Sequence, residues 1–222
     1  MTEGPGSPGI ALLGLRAGPL ALASRSPRRR ELLERLGISP LVIPTGVDER
    51  NRGGHESPRD YVVRLAGSKA AAAAGQARRD GARVCLGADT IVEIDGEVLE
   101  QPLDRADAIR LLGAIGGRWH RVWTGLCLVH VPSGARVSDS ECSRVFFERL
   151  STRDLEIYLD TGEPMDKAGA YGIQGWGGIF VPRIEGDFFN VMGLPLAALR
   201  RVCLELEAAC GEAAGGAGGD RA

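Results

Sequence analysis

The chain reads as an α/β domain built on a mixed, twisted β-sheet flanked by helices. Three observations predict this. Short apolar runs bounded by Gly, Pro and Ser alternate with stretches of helical periodicity from Leu20 to Cys210. Asp95-Gly96 and Pro132-Ser133-Gly134 are hairpin signals, which require antiparallel neighbours within an otherwise alternating order. No segment repeats another, which sets repeat architectures aside. With 222 residues and 44% apolar content, the chain can bury a sizeable core as one large domain or as two lobes sharing a sheet.

Each element follows from local chemistry. Leu20, Ala21, Leu22 and Ala23 form a short buried strand. Ser26 suits the N-cap of the next helix, Pro27 its first position, and Leu32, Leu33 and Leu36 its buried stripe. Residues 41–45 read as a second strand leading to Gly46-Val47-Asp48-Glu49, and residues 60–78 as a helix with Ser57 or Asp60 near its start. Residues 83–92 are a strongly apolar strand that the spacing predicts to be interrupted at Gly87-Ala88-Asp89-Thr90. Asp104 begins a helix through Leu112, and residues 118–131 and 135–149 make two long strands. Ser151 caps a helix to Leu159, with Asp154 completing an approximate capping box. A Gly-rich segment, 162–178, leads into a strand over 179–184, and Pro195 opens a last helix ending near Cys210. Residues 1–18, rich in Gly and Pro, and 211–222, of low complexity, are expected to be disordered, leaving 19–210 as the domain.

Composition excludes several function classes. A net charge of −2, from 27 basic and 29 acidic residues, provides no global positive field for nucleic acid. No apolar run approaches membrane-spanning length, and the first residues lack a secretory pattern, so a cytoplasmic location is expected. The cysteines, Cys85, Cys127, Cys142, Cys203 and Cys210, are odd in number and lack CxxC spacing, as reduced core residues do. Gly4, Gly6 and Gly9 fit GxGxxG, but no strand precedes them and no helix pattern follows, so the dinucleotide reading fails. Walker A, GxSxG and HExxH sequences are absent, and His55, His120 and His130 show no metal-ligand spacing.

The most informative run is Leu22 to Gly37, LASRSPRRRELLERLG. It places Arg28, Arg29 and Arg30 in the first turn of a helix, where the backbone already presents partial positive charge. That arrangement is unfavourable unless an anion binds among them, and phosphate is the obvious candidate; Ser24, Ser26, Arg28 and Arg29 sit where strand, turn and helix start coincide. Solvated surface charge is the alternative. Asp89 lies at the end or in the middle of a buried strand and needs a cation, a metal or a proton there. Asp48-Glu49, at a similar strand edge, offers a second carboxylate for a hard divalent cation. Lys69, beside the apolar stripe of its helix, either lays its stem over the core or aims at a phosphate. In the Gly-rich segment, Gln174 supplies a donor and an acceptor and Tyr171 a stackable face.

From Leu20 to Leu196 the sequence resembles the Maf family of nucleoside triphosphate pyrophosphatases. The blocks that carry the resemblance are LASRSPRRRELLERLG, GVDER, YVVRLAGSKA, LGADTIV, GEVLEQP, and GEPMDKAGAYGIQGWGG followed by NVMGLPL. It implies an α/β fold of two lobes with a central cleft, commonly a homodimer. It also implies hydrolysis, assisted by Mg²⁺ or Mn²⁺, of a nucleoside triphosphate to the monophosphate and pyrophosphate. By the same resemblance Asp89 is the proton acceptor, Arg28, Thr90 and Gln174 are specificity positions, and Ser24, Arg29, Glu49 and Lys69 are active-site positions. Glu49 and Asp89 would hold the metal, and Ser24, Ser26, Arg29 and Lys69 the phosphates. The DKAGAYGIQG block is similar to the branch preferring dTTP and UTP. Gln101 stands where relatives carry lysine. A nucleotide-sensing regulator acting through a protein partner, and a terminal phosphatase, are the competing readings.

Overall fold

The computed structural model describes residues 7–16, 18–48 and 56–216, with side chains to 211. Its elements run α1 (Pro8–Leu12), β1 (Leu20–Ala23), α2 (Pro27–Arg35), β2 (Leu41–Val42), α3 (Pro58–Arg79), β3 (Val84–Ile94), β4 (Glu97–Leu99), α4 (Arg105–Ile115), β5 (Arg118–His130), β6 (Arg136–Phe147), α5 (Thr152–Asp160), three 3₁₀ turns, β7 (Arg183–Glu185), α6 (Phe188–Met192) and α7 (Leu196–Gly216). The strands form one mixed sheet in the order β2-β1-β3-β5-β6-β7, with β4 pairing on β3. β1 is parallel to β2 and β3, while the pairings of β3, β5, β6 and β7 are antiparallel.

Three long strands carry the molecule from one end to the other. At one end, Val84, Leu86 and Ala88 of β3 with Leu126 and Leu128 of β5 pack under α2 and α7, while Cys85, Cys127 and Val129 on the opposite face meet the alanines of α3. At the other end, Val92, Ile94, Val122, Val145 and Phe147 pack with α4 and α5. None of the described helices is long and apolar enough to cross a membrane. The five cysteines are free thiols, and burial pushes those of Cys85 and Cys203 up to about 12.

α3 lies unusually close to the sheet, and two glycines explain why. A Cβ on Gly87 would stand 2.1 Å from the Ala66 carbonyl oxygen, and one on Gly125 2.3 Å from that of Val62. Gly87 therefore serves packing and does not turn the chain, and β3 runs unbroken where an interruption was expected. Elsewhere proline shortens the predicted strands. Ile43 still donates to Leu22 O, but Pro44 has no N–H, so β2 ends at Val42 instead of residue 45. Pro182 likewise separates a 3₁₀ turn, Trp176–Phe180, from β7, so the strand expected over 179–184 is only its last part. The short α6 was not foreseen: five residues show no periodicity, although Asp187 caps its start by accepting from Phe189 N, and Gly193, at φ 103°, ends it.

The expected disorder of residues 1–18 does not hold for 7–16. α1 forms there, and Ile10 within it and Leu13 and Leu15 just after it enter the core beside α7, because three apolar side chains suffice to anchor a Gly- and Pro-rich segment against that helix. Arg16 N donates to Glu207 Oε1 and Arg200 Nε to Leu12 O, tying this segment to the last helix. At the other end α7 extends through Gly216 into the stretch expected to be disordered, since its alanines and glutamates favour helix.

Candidate active site at an unpaired stretch of β3

The site is set by a gap in strand pairing. β1 pairs with β3 as far as Gly87, and β4 takes up pairing on the same side at Val92. Between them, residues 88–91 meet no described strand on that side, while β5 covers the other. Asp89 and Thr90 occupy this notch, and as consecutive strand residues they point to opposite faces of the sheet. The chain leaving β1 supplies Ser24, Ser26 and the start of α2 beside it.

On one face Lys69 of α3 donates to Asp89 Oδ1 at 2.7 Å, with both residues about 5% exposed. The buried Asp89 thus has its cation, which neutralises a charge that burial would otherwise penalise. Lys69 reaches it because Ala66 and Ala70 on the same helix lie against Gly87.

On the other face Arg29, 7% exposed, donates from Nε to Gly193 O at 2.8 Å, from Nη1 to Ser24 Oγ at 3.0 Å and from Nη2 to Thr90 Oγ1 at 2.9 Å. A planar guanidinium suits three acceptors in fixed directions. Ser24 Oγ also accepts from Ser26 N at 3.1 Å, so Ser26 is the N-cap residue of α2 by position but makes no capping bond with its own side chain. Thr90 Oγ1 lies 3.0 Å from Thr124 Oγ1, its direct partner on β5.

Around the notch, Lys69 and Asp89 thus meet on one face of the sheet and Ser24, Ser26, Arg29 and Thr90 on the other. Arg28, on the same turn, is half-buried and makes no hydrogen bond or ion pair among the described residues. Glu49 lies outside the described residues, and Asp48 is exposed. Gln174 is exposed; its neighbour Ile173 packs against the core cluster of Leu32 and Leu33, on the α2 side of the sheet. Tyr171 is no stacking platform. It is 5% exposed among Phe147 and its neighbours, its hydroxyl is 2.8 Å from His120 Nε2, and burial raises its phenol well above the usual range. Gln101 donates to Asp166 O at 3.3 Å, tying two loops together at the position where the resemblance leads one to expect lysine.

Glu163 organises the Gly-rich loop. Its carboxylate accepts from Tyr158 Oη at 2.9 Å, Trp176 N at 2.8 Å and Gly177 N at 2.9 Å. Burial raises the Tyr158 phenol, keeping it a donor, and the same oxygen accepts from Gly172 N. A Cβ on Gly175 would fall 1.8 Å from Glu163 Oε2, so a side chain there would displace that carboxylate from its hydrogen bonds. Glu163→Ala removes the shared acceptor of three donors. It is expected to lower stability by about 2 kcal/mol in urea denaturation, with Glu163→Gln recovering only part because its amide nitrogen cannot accept. Glu163, Thr124, Asn190 and the Gly193 carbonyl were not singled out from sequence; the NVMGLPL block was the available signal for the last two.

A mixed α/β sheet that carries, at a stretch of β3 no described strand pairs on one side, a buried Lys–Asp pair on one face and an arginine at a helix start held by three acceptors on the other gathers cations suited to an anion. The chain belongs to the Maf-like protein family, whose sequence model matches residues 19–206. It is 48% identical over 180 residues to a dTTP/UTP pyrophosphatase of Anaeromyxobacter dehalogenans, covering 80% of this chain and 89% of that protein. Proteins of the same description from Caldanaerobacter subterraneus and Bdellovibrio bacteriovorus are each 43% identical, covering 80% and 82% of this chain and 84% and 96% of theirs.

Proposed function

We propose that the protein is a nucleoside triphosphate pyrophosphatase that hydrolyses dTTP and UTP to the monophosphate and pyrophosphate. The observation that carries this reading is the notch itself: Asp89 paired with Lys69, one residue from Thr90 and the clamped Arg29. The names of the relatives supply the substrate class. In this mechanism Asp89 orients a water and takes its proton as the water oxygen bonds to the α-phosphorus. The bond from that phosphorus to the bridging oxygen breaks, and pyrophosphate leaves. Lys69, Arg29, Ser24, Ser26 and the amide end of α2 stabilise the charge spread over the phosphate oxygens. Arg28 and Gln174 contact the nucleoside, where the Gln174 amide reads a pyrimidine edge.

The donor set suits a hard cation. No group of three or more His, Cys, Asp or Glu forms among the described residues, and Mg²⁺ or Mn²⁺ commonly binds one or two carboxylates together with substrate phosphates. Asp89 and Glu49 would hold it, and it would supply further neutralisation of the triphosphate. We read the enzyme as a cytoplasmic homodimer serving nucleotide house-cleaning.

The test is a panel of triphosphates assayed for pyrophosphate with Mg²⁺ or Mn²⁺ and again with EDTA. Pyrophosphate and monophosphate from UTP and dTTP, lost with EDTA, are expected. Orthophosphate and diphosphate would indicate a terminal phosphatase instead, and tight binding without turnover a regulatory protein.

A further inference from the structure

The proton positions behind Thr90 can be counted. Thr124 is fully buried, and its Oγ1 lies 3.0 Å from Asn190 O. A carbonyl only accepts, so the proton between these two oxygens belongs to Thr124. A hydroxyl has one proton, so the proton between the two threonines belongs to Thr90. The opposite polarity would leave Thr124 Oγ1 and Asn190 O 3.0 Å apart in a buried site with nothing between them. Arg29 Nη2 also donates to Thr90 Oγ1. Thr90 has thus given its proton away and accepted one bond, and it keeps a single lone pair. It is the partly exposed member of this chain of hydroxyls.

A phosphate oxygen brings no proton to that lone pair, whereas a nucleoside N–H or O–H does. We propose that Thr124, which itself touches no ligand, sets base preference as a positioning residue: it makes Thr90 an obligate acceptor for the N3–H of a uracil or thymine ring. Cytosine, whose N3 is an acceptor, meets Thr90 lone pair to lone pair. The inference rests on the pyrimidine triphosphate reading above and deepens it.

The experiment compares kcat/KM for UTP and CTP in the wild type, Thr124→Val, Thr124→Ser and Thr90→Val. Asn190 O also accepts from Gly193 N at 2.9 Å, so Thr124→Val does not orphan it. In Thr124→Val the Thr90 proton has no acceptor behind it and turns toward the notch. The UTP-to-CTP ratio is expected to fall about 10-fold, mainly through a gain for CTP, and Thr124→Ser to restore it. Thr90→Val, informative even if Thr124→Val fails to fold, should lower the ratio by a similar factor through a loss for UTP. N3-methyluridine triphosphate should be a poor substrate of the wild type and lose less, relative to UTP, in Thr90→Val. An unchanged ratio in Thr90→Val, or in a folded Thr124→Val, overturns the proposal. So does a Thr90-dependent penalty that follows 3′-deoxyuridine triphosphate in place of the N3-methyl compound, which would put the donor on the sugar. A wild type that releases no pyrophosphate from any pyrimidine triphosphate would instead defeat the underlying reading of function.

Discussion

Asp89→Asn is expected to lower pyrophosphate release from UTP by about 10²–10⁴-fold, the range that a positioned proton acceptor supplies. The amide keeps the shape of the carboxylate but cannot take a proton from water, and it offers a cation a poorer ligand. The same change leaves the buried Lys69 ammonium facing a neutral oxygen, so a loss of about 2–3 kcal/mol in stability accompanies it. The two effects separate in Asp89→Asn combined with Lys69→Met, which removes both charges and keeps the volume. Denaturation in urea should show stability largely recovered while turnover stays low. Near-normal turnover of Asp89→Asn with metal present would remove Asp89 from the chemistry.

Gly87→Ala should be among the most damaging single added methyl groups at the described positions. The new Cβ would meet Ala66 O at 2.1 Å and Ala70 N at 2.8 Å, both backbone atoms of α3, which cannot step aside without the helix. α3 must lift, carrying Lys69 away from Asp89, so stability and activity fall together. We expect a loss of about 3 kcal/mol, or roughly 6–12 °C in Tm, by calorimetry. Gly113→Ala in α4, whose Cβ would meet nothing within 4 Å, is the control and should be neutral or stabilising. Equal melting temperatures for the two variants would show that close packing of α3 is not what Gly87 provides.

These two residues also mark what sequence can convey. Strand β1, the caps at Ser57, Asp104 and Ser151, and the β5–β6 hairpin were legible because each depends on chemistry within a few residues. The uninterrupted course of β3 was not, since Gly87 answers to a helix some twenty residues away and a glycine in a strand looks locally like a break. The ion partner of Asp89 was open for a similar reason: spacing along α3 left Lys69 beside the apolar stripe without saying what it faced. Arg29 was placed at a helix start, but its clamp uses Gly193 O, 164 positions away, and a backbone carbonyl carries no sequence signature. The packing of α1 escaped because glycine and proline content outweighed four scattered aliphatic residues.

The long antiparallel strands have a mechanical consequence. β3, β5 and β6 each pass from the cluster under α2 and α7 to the cluster under α4 and α5, hydrogen-bonded to one another throughout. The two ends of the molecule are thus not joined by a slender linker that a few dihedral rotations would swing. Spreading them requires three hydrogen-bonded strands to flex in concert, with no pivot between the two ends.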